Sequence, residues 1–103
     1  MSLRVVAPPG LAAGTRVFVS GSLPQLGNWK PDAVELARDA ANTRLYSGAV
    51  KLPRGAGGTF KFTLGDWQRA EKDSSGQDTA GRPVLANSDK LAISASVDKF
   101  GGK

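Results

Sequence analysis

The chain has no cysteine and no histidine. The first absence excludes disulfides, thiolate nucleophiles and cysteine metal sites. The second removes the Ser-His-Asp arrangement, the usual zinc ligands and the commonest general base. No apolar run in the 103 residues approaches the length needed to span a membrane as a helix. Met1-Ser2-Leu3-Arg4 does not read as a signal peptide. Periodicity for a long helix is also missing. What remains is one domain's length of chain, 40% apolar and 22% charged, which is ordinary for a folded domain.

Charge is the next scarcity, because it is unbalanced without being concentrated. Fourteen basic residues against nine acidic give a net charge of +5. The basic residues are scattered and interrupted by acids, as in Asp66…Arg69…Glu71-Lys72-Asp73. No basic cluster or nucleic-acid motif is present, so neither a nucleic-acid partner nor a membrane is expected. Asp66, Glu71, Asp73 and Asp78 are close in sequence, but their surroundings read as wet and charged. A glycosidase needs two carboxylates fixed across a cleft, one of them with a raised pKa. Asp73-Ser74-Ser75-Gly76-Gln77-Asp78 lacks the ligand series and closing Glu of a calcium loop. No catalytic residue, metal ligand or cofactor is predicted.

The pattern that is there has period two. Leu3–Ala7, Arg16–Ser20, Ala33–Leu36, Arg44–Leu52, Thr59–Leu64, Val84–Leu85 and Leu91–Val97 read as short strands between Gly, Pro and Asn turns. Asn87-Ser88-Asp89 is one of those turns, and Gln68–Lys72 reads as an exposed edge. The alternation faces Val17, Val19, Phe60, Phe62, Leu91 and Ile93 inward and Thr59, Lys61 and Thr63 outward. About seven strands of this kind predict an all-β, antiparallel β-sandwich of immunoglobulin-like outline. Residues 1–103 form a single domain in this reading, with 98–103 as a linker or frayed end.

One stretch carries the functional signal. Gly21-Ser22-Leu23-Pro24-Gln25-Leu26-Gly27-Asn28-Trp29-Lys30-Pro31 is a turn-forming loop that holds one of only two tryptophans. The other, Trp67, lies just beyond the strand that carries Lys61. An indole is a large apolar surface with a polar N–H at its edge, suited either to a core or to the C–H face of a sugar ring. Lys61 supplies a compact charged donor, and Asn28 an amide that both donates and accepts. From residue types alone, both roles stay open for each tryptophan.

The run Val17-Phe18-Val19-Ser20-Gly21-Ser22-Leu23-Pro24-Gln25-Leu26-Gly27-Asn28-Trp29 resembles the opening signature of starch-binding domains, carbohydrate-binding module family twenty. Leu52-Pro53-Arg54-Gly55 followed by Phe60-Lys61-Phe62 resembles their strand–turn–strand segment. The two stand in the family's order, within a looser similarity from about Leu3 to Val97. The resemblance implies a β-sandwich that binds α-1,4-glucan without catalysis, beside an amylase, glucoamylase or other glucan-active enzyme. It implies Trp29 as one stacking platform, Lys61 as its polar partner and Asn28 beside it. Trp67 is then the second platform, though it follows Lys61 sooner than in the common pattern, as in a divergent member. The family's second site uses aromatics that residues 11–13 and 38–43 lack, so one sugar chain per domain is expected. The compartment is open, with an extracellular or periplasmic setting favoured. A structural or protein-interaction β-sandwich flanking a hydrolase-type domain is the alternative, and exposure of the two indoles discriminates between them.

Overall fold

The computed structural model describes residues 1–8, 11, 14–42, 44–79, 81–86 and 91–101. Seven strands form one hydrogen-bonded sheet: β1 (Ser2–Val6), β2 (Val17–Gly21), β3 (Val34–Arg38), β4 (Leu45–Ala49), β5 (Gly57–Thr63), β7 (Arg82–Leu85) and β8 (Ala92–Ser96). Their spatial order is β7-β5-β2-β3-β4-β1-β8. Two short strands, β6 (Glu71–Lys72) and β9 (Lys99–Phe100), pair separately. The domain is therefore mostly β, with a sheet curled into a half-barrel around a single core. Arg82 on one edge strand donates to the Ser96 carbonyl on the other at 2.9 Å, so the two edges approach each other across one side chain.

Period-two alternation dictates the core. Val17, Val19, Phe60 and Phe62 are buried, and Leu91 and Ile93 pack partly buried against them. Phe60 and Phe62 meet edge to face, with ring centroids 5.6 Å apart. Such an arrangement places one ring's positive edge on the other's negative face. Tyr46 is also core, its hydroxyl donating to the Thr15 carbonyl at 2.9 Å.

Four features depart from the sequence reading. The sheet is not wholly antiparallel: β1 pairs with β4 antiparallel and with β8 parallel, Leu3 opposite Ile93. A parallel partner needs a long connection, and here most of the chain supplies it. Thr63, outward by alternation, is fully buried, because the loop at Pro31 and the return that follows β5 at Gly65 close over it. Its hydroxyl donates to the Pro31 carbonyl at 2.6 Å and accepts from Gly65 N–H at 3.0 Å.

Gln68–Lys72 is not an exposed edge either, since Glu71 is buried within it. Its carboxylate takes three contacts from the Arg82 guanidinium, the shortest at 2.7 Å, and accepts from Phe62 N–H at 3.2 Å. Finally, Lys99–Phe100, assigned by composition to a linker or frayed end, pair with Glu71–Lys72, and Phe100 packs on the core. Gly102, Lys103 and the turn at Asn87-Ser88-Asp89 lie outside the described residues.

Candidate functional site

The loop after β2 is tied down by backbone hydrogen bonds from Ser22, Leu26, Gly27, Asn28, Trp29 and Lys30. Pro24 opens a 3-10 turn at Pro24–Leu26, where a fixed φ and a missing N–H do no harm. Leu26 from that turn is fully buried and plugs the core. Gly27 closes the turn at φ 83°, and a Cβ there would lie 2.3 Å from that of Ala33, so only glycine fits. Asn28 and Trp29 follow at φ 50° and 68°, left-handed values uncommon for residues with side chains. Trp29 N–H donates to the Gly21 carbonyl at 2.7 Å, and Thr63 holds Pro31 from below. Strained backbone is thus fixed at both ends, and it presents the Trp29 side chain outward, 37% exposed.

Trp67 arrives from the opposite side. β5 ends at Thr63, the chain turns at Gly65, and Ala70 bridges back to Thr63. Within this tight return Asp66 caps a 3-10 turn, Trp67–Arg69, accepting from Arg69 N–H and from its guanidinium, both at 2.9 Å. The doubling-back explains why a tryptophan so soon after Lys61 reaches the same patch. Its indole N–H donates to the Trp29 carbonyl at 3.0 Å. The two rings lie 5.8 Å apart, tilted by 58°, and Trp67 is 39% exposed.

Trp29, Trp67, Lys61, Thr59 and Gly81 line an open depression of about 470 Å³ on the outer face of β5. The structure brings together three of the four residues singled out in the sequence. Asn28, exposed next to Trp29, is not among the lining residues. Thr59 and Gly81 went unnamed as site residues. Thr59 had a signal, since it shares the outward face of β5 with Lys61. Gly81 had none, yet a Cβ there would sit 2.9 Å from Thr59 Cβ.

The chemistry on offer is a bent apolar surface with a cation and a hydroxyl beside it. A sugar ring stacked between two indoles requires two carbon–carbon gaps of about 3.5–4 Å each. Rings with centroids 5.8 Å apart leave no such slot, so the pair offers a bent surface and not a cleft between the rings. Lys61 makes no ion pair among the described residues. Asp78 is near enough to feel its field, although the hydrogen bond from Lys72 is the main cause holding the Asp78 carboxyl below its usual range. The carboxyls of Glu35, Asp66 and Asp73 are held low too, each first by a side-chain hydrogen bond. A general acid needs the opposite shift. In the 73–78 loop, Asp73 spends one oxygen on Ser75 N–H, Ser75 hydroxyl and Gln77 N–H.

The Asp66 cap carries a pH prediction. Hydrogen bonds from Arg69 lower its pKa, so the cap's contribution is complete above the ordinary Asp value near 3.9 and fades as pH falls through the lower folded value. Tryptophan emission is therefore expected to stay constant from neutral pH to about 4 and to change only below it. Asp66→Asn should respond less below that pH; an identical acid transition in the variant refutes the assignment.

A family model described as the starch binding domain matches residues 3–80. An alpha-amylase of Thermomonospora curvata is 44% identical over 50 residues, covering 48% of this chain. An alpha-amylase of Niallia circulans is 25% identical over 100 residues, covering 97% of it. In each case the match spans 8% of the relative's length. Among solved structures, the family 20 carbohydrate-binding module of a maltotetraose-forming amylase from Pseudomonas saccharophila STB07 superimposes with a TM-score of 0.61 at 21% identity. That likeness covers 93% of this chain and 99% of that one. A glucoamylase from Hypocrea jecorina gives 0.66 at 16% identity, over 98% of this chain and 17% of its own. At these identities the structural likeness speaks for the fold. The candidate second-site loops include residues 12, 13 and 43, which lie outside the described residues.

Proposed function

This chain belongs to the starch-binding domain family, and from that premise we propose that it is a non-catalytic module holding α-1,4-glucan across Trp29 and Trp67. By doing so it keeps an attached amylase-type catalytic domain on its polysaccharide. The observation that carries the reading is the contact between two half-exposed indoles, 5.8 Å apart, over the outer face of β5 with Lys61 alongside. Indoles serving a core are covered, so this exposure speaks against a purely structural role; docking of a neighbouring domain on the same patch is the alternative that the titration below separates. The 58° tilt suits a bent α-linked chain, whose successive rings change direction, better than a flat β-linked one.

Each role follows from side-chain chemistry. The indoles take the C–H faces of glucosyl rings, Lys61 donates to hydroxyls, and Thr59 both donates and accepts. Asn28 serves at the rim. The likeness to modules of this fold supports reading the curled sheet as an immunoglobulin-like sandwich and residues 1–103 as one module. Insoluble starch cannot cross a membrane, which favours an extracellular or periplasmic setting. Multiple modules, or the tether to an enzyme, raise the effective affinity of a site this open.

Calorimetric titration of the domain with maltoheptaose tests the proposal. One sugar chain per domain is expected; absence of heat at millimolar ligand overturns it, and two chains per domain overturn the single-site reading. Lys61→Met should weaken binding by about 1–2 kcal/mol, the loss of a charge-assisted hydrogen bond in a partly wet site. The melting temperature should barely move, since Lys61 holds nothing else together.

A further inference from the structure

We propose that the glucan surface continues past the tryptophans, along the outer faces of β5 and β7 to Leu85, and so selects longer α-glucan chains. This rests on the reading of Trp29 and Trp67 as a glucan platform. Register carries the argument. Thr59, which lines the depression, stands opposite Pro83, and Gly57 opposite Leu85. Opposed residues in a sheet share a face. Val84, between the two β7 residues, is buried on the inner face, so Pro83 and Leu85 lie on the same outer side as Lys61 and Thr59. Leu85 is 55% exposed, the most of any large apolar side chain among the described residues. It stands about 7 Å beyond Pro83 at the strand rise of 3.3–3.4 Å per residue.

A single exposed leucine on a protein surface needs no explanation. This one ends a strip that runs Lys61, Thr59 with Pro83, then Gly57 with Leu85. Past Lys61 the strip bears no charge, which fits a neutral polymer and offers nothing to an acidic partner despite the chain's +5. Gly57 is the telling position. Its φ is not left-handed, and a Cβ there would meet only Leu85 Cδ1 at 3.5 Å and the Val84 carbonyl at 3.6 Å, ordinary contacts. The fold does not require glycine at 57. Its missing side chain instead leaves a flat floor beside Leu85, over which a sugar ring can lie with its C–H face on leucine and proline.

The test compares maltotriose with maltoheptaose on the wild type, Leu85→Ser and Gly57→Val. Maltotriose is long enough for the tryptophans alone. Leu85→Ser is expected to lower maltoheptaose affinity roughly three- to tenfold and leave maltotriose unchanged. Gly57→Val should do the same by obstruction, while its melting temperature holds or rises, because valine suits a strand better than glycine. A merely structural position cannot gain stability and lose only the longer ligand. Unchanged maltoheptaose affinity in both variants overturns the extension and leaves the tryptophan site standing, as does an equal loss for both sugars. A wild type that binds neither sugar removes the tryptophan reading, and the extension with it.

Discussion

Glu71→Ala is expected to destabilise the domain by about 3 kcal/mol, the low end of the range for breaking a buried ion pair. Glu71 is 1% exposed and its partner Arg82 keeps about a third of its side chain in water, which moderates the loss. Two groups lose their partner at once. Phe62 N–H, in the middle of the core strand, is left without its 3.2 Å acceptor. The Arg82 guanidinium loses both carboxylate oxygens while still lying over the Phe62 ring and still bonded to Ser96. Because Arg82 spans the two sheet edges, the penalty falls on closure of the half-barrel as well as on β6. Urea denaturation measures it. Glu71→Gln, which retains an acceptor, should cost less than Glu71→Ala. A double variant with Arg82→Met should cost less than the sum of the singles, since each already breaks the same pair. Additive losses, or a change below 1 kcal/mol for Glu71→Ala, contradict this account of the pair.

Neither the burial of Glu71 nor its partner was legible in the sequence. Glu71 stands among Arg69, Lys72 and Asp73, and in one dimension that is a solvated run. Its burial is decided by Arg82, eleven residues later, and by β9 at the far end of the chain, neither of which leaves a local trace. Thr63 fails for a related reason. Alternation names the face of a strand correctly but cannot say what covers that face, and two loops cover this one. The parallel β1–β8 pair is likewise a choice made between chain ends. What could be read was whatever is written locally. Phe60-Lys61-Phe62 separates core from surface residue by residue, and the Gly/Pro/Asn loop ending in Trp29 announced an aromatic with no place in a strand. Trp67 stood between. Its proximity to Trp29 depends on the return at residues 64–69, for which Gly65 and the Asp66–Arg69 cap were present as signals.

Trp29→Ala is expected to remove most α-glucan affinity, a loss of about 1–3 kcal/mol if one indole platform is worth what an aromatic ring contributes when a nucleobase stacks on it. The substitution is cleaner than it looks. Trp67 holds its place through the Trp29 carbonyl, which belongs to the backbone and survives any replacement at 29. The second platform therefore stays while the first disappears. Backbone strain supplies the control. At φ 68° an alanine retains the left-handed cost of about 1–2 kcal/mol, and a glycine does not. Trp29→Gly should accordingly melt above Trp29→Ala and yet bind no better. Stability then changes between two variants at one residue while affinity does not, which a loss of binding caused only by unfolding of the loop cannot imitate. Trp67→Ala should lose a comparable share of affinity, and Trp67→Phe less, since it keeps a ring but gives up the indole N–H that fixes its angle. Titration with maltoheptaose and a thermal melt of all four variants decide the matter. Wild-type affinity in Trp29→Gly would sink the stacking mechanism, and wild-type affinity in Trp67→Ala would leave Trp29 as a single platform.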